Sequence, residues 1–169
     1  MKRKVQITLI GDSEEIDANN QIAYDIGAFI ADKGWILITG GREGVMTASS
    51  EGNLKRGGLS VSLLPGENIN EGNPHSTVTI ATGIGYARNS MNVLSADVVV
   101  VVGGASGTLS EIAYAWAYNK PIIACEFAEG WSRKLANQQI DHRRNDVVVG
   151  AKNMEELKKG LEDLVNNLK

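Results

Sequence analysis

The residues best placed to do chemistry lie in Asp97–Trp116, DVVVVVGGASGTLSEIAYAW. Five consecutive valines, Val98–Val102, end at Gly103-Gly104, and Gly107-Thr108 then open an amphipathic pattern of Leu109, Ile112, Ala113 and Trp116. Strand, glycine turn and helix in that order aim free backbone N–H groups and a positive dipole end at the carboxyl edge of a sheet. That arrangement suits an anion. Glu111, in the first turns of the helix, has two uses: its charge offsets the dipole, or it acts on a ligand held by the turn.

Three other stretches carry comparable signals. Gly40, Gly41 and Gly44 surround Arg42 and Glu43 in TGGREGVM, between a strand and a helix. Such a turn either lets a phosphate approach the backbone or simply needs positive φ. It is not a Walker A loop, because the Lys-Ser/Thr pair is missing. Gly83 and Gly85 in TGIGYARN make half a dinucleotide fingerprint, with Arg88 in the third glycine's place. Arg88 opens a helix whose apolar face is expected at Met91, Leu94 and Ser95. A cation there is opposed by the dipole, so a charged ligand or carboxylate partner is expected. The first strand ends in Gly11-Asp12-Ser13, which also lacks the three-glycine fingerprint.

Several chemistries are excluded or unsupported. His75 and His142 stand far apart with no ligands at metal spacing, so no metal is expected. The single cysteine, Cys125, sits in PIIAC, a buried-strand pattern, and reads as a core thiol. The net charge of -3 gives no electrostatic case for nucleic acid or an anionic membrane. No stretch is long and apolar enough for a membrane span, and MKRK has no signal-like apolar region behind it. A soluble cytoplasmic protein is expected.

The elements that must position these groups follow from periodicity. All 169 residues fit one domain, with the 19 glycines falling at turns and not in a low-complexity tract. Val5–Ile10 is the first strand; Ile22, Ala23, Ile26, Gly27, Ile30 and Ala31 mark a helix; Trp35–Thr39 is the next strand. A helix over Val45–Lys55, a strand over Leu59–Leu64, a polar loop over Glu67–Ser76 and a short strand over Val78–Ala81 follow. After the valine strand and its helix comes Ile122–Cys125; Phe127–Gln139 reads either as a short helix or as a lid. Val147–Val149 is a last strand, and Met154, Leu157, Leu161, Leu164 and Leu168 stripe a C-terminal helix. The fold class is α/β: one doubly wound, Rossmann-like domain, its mostly parallel sheet of about six or seven strands covered by helices on both faces.

GGREGVM, TGIGYARN and VVGGASGTLSE together, in this order, resemble the LOG family and its Rossmann-like superfamily, which includes molybdenum-cofactor carrier proteins and DprA-related nucleotide binders. The likeness runs from Val5 to about Ile123. LOG enzymes are cytokinin riboside 5'-monophosphate phosphoribohydrolases. Many are labelled lysine decarboxylases, but no pyridoxal-phosphate site is recognisable here. The family's PGGxGTxxE motif falls on Gly103 to Glu111, its first glycine motif on Gly40, Gly41, Gly44 and Met46, and its catalytic Arg-Lys pair on Arg88 and Asn89. The resemblance implies that Gly104, Gly107 and Thr108 line a phosphate site and that Glu111 acts on the ribose. Gly11, Ser13, Asn89 and Ser106 complete the candidate ligand-binding set, with Arg88 and Glu111 as the candidate catalytic pair. Gly103 stands for the motif's Pro, Ala105 for a Gly and Asn89 for the Lys. The Arg-Asn pair and the GTLSE ending look more like the carrier branch.

Two functions compete on this basis. One is a binding protein for a phosphate-bearing, nucleotide-like ligand, either a nucleotide or the molybdenum cofactor, with no cofactor required for its own action. The other is a hydrolase that cleaves the N-glycosidic bond of a nucleoside 5'-monophosphate, with Glu111 stabilising the developing ribosyl cation. Leu109, Ile112, Tyr114, Trp116 and Tyr118 put apolar groups on more than one face of their helix, so a homodimer or homotetramer is expected.

Overall fold

The computed structural model describes residues 3–168. Seven strands, β1 (Gln6–Gly11), β2 (Ile36–Thr39), β3 (Leu59–Leu64), β4 (Val78–Ala81), β5 (Val98–Val102), β6 (Ile122–Cys125) and β7 (Val149–Ala151), form one sheet. Six α-helices flank them, the last following β7: α1 (Asp17–Asp32), α2 (Val45–Lys55), α3 (Arg88–Leu94), α4 (Ser106–Ala117), α5 (Trp131–Leu135) and α6 (Met154–Asn166). Every pairing is parallel and the order is β4-β3-β2-β1-β5-β6-β7. The order reverses between β1 and β5, and the crevice at that switch point is where such sheets take ligands.

β5 explains the layering. Its five valines are completely buried, and strand alternation sends them to opposite faces. Val98, Val100 and Val102 join Ile26 and Ile30 of α1 and Leu157 and Leu161 of α6 in one core. Val99 and Val101 join Val93 of α3 and Ile112, Ala115 and Trp116 of α4 in the other. On the first face α1 and α2 meet through glycines. A Cβ on Gly27 would lie 1.9 Å from the Ser49 carbonyl oxygen, and one on Gly52 would lie 2.0 Å from that of Tyr24. The two helices therefore touch backbone to backbone, and any side chain at either position would push them apart.

Three details depart from the expectations, and one open alternative is resolved. The last strand begins at Val149, because Val148 exchanges backbone hydrogen bonds with Asn137 and Gln138 before β7 reaches β6. In α3 Met91 and Leu94 face outward, 38% and 51% exposed, while Arg88, Asn89, Asn92 and Val93 are buried. The helix turns its polar side inward because that side forms a wall of a cleft. In α4 it is Ala115, not Ala113, that joins Ile112 and Trp116 in the core. Of the two readings of Phe127–Gln139, the short helix is the one found: α5, with Trp131 and Leu135 packed on the second core.

Residues 137–146 close the far end of α4. Asp141 accepts a hydrogen bond from Trp116 Nε1 at 2.9 Å, and the Arg144 guanidinium lies 4.4 Å above the same ring. Arg144 also donates to the Lys120 carbonyl at 2.9 Å, so one arginine ties this segment to the end of the helix. Among the described residues no helix is long and apolar enough to cross a membrane.

Candidate functional site

The carboxyl ends of β1, β2 and β5 open into a cleft of about 420 Å³. Gly11 and Ser13 line it from the β1 turn, Gly40, Arg42, Glu43 and Met46 from the β2–α2 turn, and Tyr86, Arg88 and Asn89 from α3 and the short 3-10 turn before it. Ala105, Gly107, Thr108 and Glu111 supply the α4 wall. Segments far apart in sequence thus share one edge of the sheet, as parallel topology requires.

The first turn of α4 keeps its donors open, with Gly107 and Thr108 on the cleft. The N–H groups of Ser106, Gly107 and Thr108 donate no hydrogen bond within the described residues. A Cβ built on Gly107 meets nothing within 4 Å, so the space over this turn is open. The Thr108 hydroxyl is directed elsewhere, donating to the Gly11 carbonyl at 3.0 Å and locking α4 to β1. Free N–H groups at a helix start, beside a gap, are able to receive an anion.

Other predicted residues serve the chain itself. Gly104 has φ +105, and its N–H donates to Asp12 Oδ1 at 2.9 Å, while Asn19 holds Asp12 Oδ2 at 2.8 Å. A resident carboxylate thus occupies the upstream glycine turn, and the open donors begin at the next residue, Ala105. Gly44 similarly gives its N–H to Glu15 at 3.0 Å, and Gly41 packs against Ser62 and Leu64. Gly41, Gly44 and Gly104 do not line the cleft. Ser106 faces an outer groove with Tyr86 and Tyr114. Gly40 lines the cleft because Arg88 lies across it: a Cβ there would sit 2.4 Å from Arg88 Nη1.

Arg88 and Glu111 converge. They are 9% and 7% exposed, with Nη1 and Oε1 4.0 Å apart, at the outer limit of an ion pair. Arg88 Nε is buried without a hydrogen-bond partner. Glu111 accepts from Asn92 Nδ2 at 2.9 Å. Burial pushes the Glu111 carboxyl up to about 7, against the Asn92 hydrogen bond and the Arg88 charge, which pull it down. Burial also lowers Arg88, Glu111 opposes that shift, and nearby Arg42 adds to it. Even so, a guanidinium stays charged at any physiological pH. Asn89 is 6% exposed and pinned by its amide to Ser110 Oγ at 2.9 Å. Cys125 is fully buried, and burial pushes its thiol up to about 12, as a core residue requires.

Sequence reasoning missed Asp12, Asn92 and Tyr86. Asn92 lies four residues after Arg88, the spacing of one helical face, which was a usable signal. Asp12 stood in the GDS turn, but nothing local shows that its partners are Gly104 and Asn19.

The Glu111 shift predicts a pH-dependent stability. A carboxyl raised in the folded state binds its proton more tightly there than in the unfolded chain. Stability therefore falls as pH rises from the ordinary value of 4.5 to about 7. Glu111→Gln removes that loss. The variant should gain on wild type across this window, by up to about 3 kcal/mol above pH 8, with no gain near pH 4. Urea unfolding of both proteins at several pH values measures the gap.

A family model described as the SLOG cluster4 family matches residues 4–158. An uncharacterized protein from Archaeoglobus fulgidus is 43% identical over 120 residues, 71% of this chain and 79% of that protein. The molybdenum cofactor binding protein from the phototrophic bacterium Rippkaea orientalis is 34% identical with a TM-score of 0.87, covering 98% of this chain and 99% of that one. The molybdenum cofactor carrier protein from Chlamydomonas reinhardtii is 30% identical with a TM-score of 0.85, covering 98% of this chain and all of that one, 100%. With its cleft at the β1/β5 switch point and a family match spanning nearly its whole length, the chain belongs to the SLOG cluster4 family.

Proposed function

We propose that the protein binds a phosphate-bearing, nucleotide-like ligand and holds it without chemical change, as a carrier does, with the molybdenum cofactor as the favoured cargo. The observation that carries this reading is the pairing of open N–H groups at Ser106–Thr108 with a buried Arg88 whose Nε has no partner. A phosphate seated on that turn satisfies both. Gly107 and Thr108 supply N–H groups, Arg88 supplies the counter-charge, and Ser13, Met46 and Asn89 shape the remainder. The cleft volume of about 420 Å³ suits a ligand of nucleotide size. The likeness to molybdenum cofactor carrier proteins over almost the whole chain supports the choice of cargo.

A second reading, hydrolysis of a nucleoside 5'-monophosphate, draws on Glu111. A buried carboxyl poised near neutrality is chemically suited to acid–base work on a ribose. Against it stands Asn89, which occupies the place of the LOG family's lysine and is tied to Ser110. An amide so held cannot supply a proton or a charge. Titration with AMP, with chromatography for released adenine, separates the two. A carrier-type site binds AMP and releases no base. Arg88→Ala should weaken that binding by about 2–5 kcal/mol, the scale of losing a buried charge partner. Adenine released by wild type and lost in Glu111→Gln would establish the hydrolase instead.

We also propose that the protein is a homo-oligomer, dimer or tetramer. Ile112 and Trp116 are covered by the chain's own core, so they no longer argue for a partner. Tyr114 and Tyr118 do: they are 37% and 41% exposed, stacked with ring centres 6.0 Å apart, on the same side of the sheet as exposed Met91 and Leu94. Exposed apolar groups gathered on one side of the sheet are what subunit contacts cover. Light scattering at micromolar protein should give at least twice the 18.1 kDa chain mass, and a monomer would contradict it.

A further inference from the structure

The cations of the cleft are already matched by carboxylates. Arg42 Nε lies 3.6 Å from Glu43 Oε2, and Arg88 Nη1 lies 4.0 Å from Glu111 Oε1. An incoming dianion therefore enters a site with no spare positive charge. The two pairs differ in what they can do about it. Glu43 is exposed, its side chain 64% accessible, and water screens it. Glu111 is buried, and its only other partner among the described residues is the Asn92 amide. If the Arg88 guanidinium turns its unpartnered Nε toward an oxyanion on the α4 turn, Glu111 loses its counter-ion in a place water does not reach. A buried carboxylate without a counter-ion neutralises by taking a proton.

We propose that oxyanion binding in this cleft is proton-linked: the anion takes Arg88 from Glu111, and Glu111 binds one proton from solvent as the anion enters. This rests on the cleft being an anion site and adds a condition for loading and release. The surroundings leave Glu111 as the group that titrates. It is the one charged side chain of α4, and Arg88 is the one charged side chain of α3. Arg42 and Glu43 face the cleft from the β2–α2 turn, and Tyr86 faces it from the turn before α3. β1 and β5 bring no charged side chain, and Asp12 is held by Gly104 and Asn19. The starting value of about 7 puts the exchange in the physiological range, so a modest acidification loads the site and a modest rise empties it.

Sulfate is the probe, because it keeps both charges throughout the range, whereas a phosphate ester titrates near pH ~6. Calorimetric titration of the whole protein with sulfate should show a constant affinity below pH ~7 and a roughly tenfold loss per pH unit above it. Repeating the titration in buffers of different ionisation enthalpy should show uptake of up to one proton per sulfate above neutrality. In Glu111→Gln both the slope and the proton uptake should vanish, with affinity at pH 8.5 no lower than that of wild type at pH 6.5. Saturable sulfate binding with no pH slope and no proton uptake would overturn the linkage and leave the anion site standing. A slope that survives in Glu111→Gln would assign the proton elsewhere and also overturn it. Absence of sulfate binding at every pH, in both proteins, would remove the anion site and the linkage together.

Discussion

A strand of five valines with no polar face is the constraint on which the rest of this molecule depends. Val98–Val102 can be buried only in the middle of a sheet with helices on both sides, so β5 pairs with β1 and β6 and is covered by α1 and α6 below and α3 and α4 above. Parallel strands need crossover connections, and those connections bring every strand-to-helix turn of the central strands to one edge. The cleft is a consequence of that geometry. Its walls are the turns after β1, β2 and β5 together with the start of α3.

Within this frame the polar groups divide into those that build the site and those that stay open. Asp12 crosses from the β1 turn to the Gly104 N–H, and Glu15 takes the Gly44 N–H, so two backbone donors are satisfied by the chain. Thr108 spends its hydroxyl on Gly11. Among the groups left without a partner in the described residues are the N–H groups at the start of α4 and one guanidinium nitrogen of Arg88. Buried polar groups without partners are uncommon in folded proteins, because each loses hydration and gains nothing in return. Gly107, Thr108 and Arg88 share the lining of one cleft, where a ligand could take up their open groups.

Much of this was written in the sequence, and the exceptions have physical causes. Helix α2 and strands β3, β4, β5 and β6 were readable to the residue, because each carries an uninterrupted pattern bounded by glycine or proline or a clear polar break. The chain's membership of the SLOG superfamily was readable because three glycine motifs keep their order and spacing. Helix α3 misled: Met91 and Leu94 look like a core stripe, yet the buried side holds Arg88, Asn89 and Asn92. Hydrophobic periodicity assumes that the inward face meets a core, and this one meets a cleft. The glycines misled in another way. Gly41, Gly44 and Gly104 have positive φ, and Gly40 makes room for Arg88, so composition alone could not tell a ligand-facing glycine from a packing one. That distinction depends on contacts across 92 residues of sequence, such as Asp12 with Gly104.

The central claim is that an oxyanion sits on the open first turn of α4. Backbone amide NMR during a sulfate titration at pH 6.5 tests it most directly. The account predicts saturable shifts concentrated at the Ser106, Gly107 and Thr108 amides, accompanied by a change at Arg88 Nε. Shifts absent from that turn, or spread over surface lysines without saturation, would contradict it.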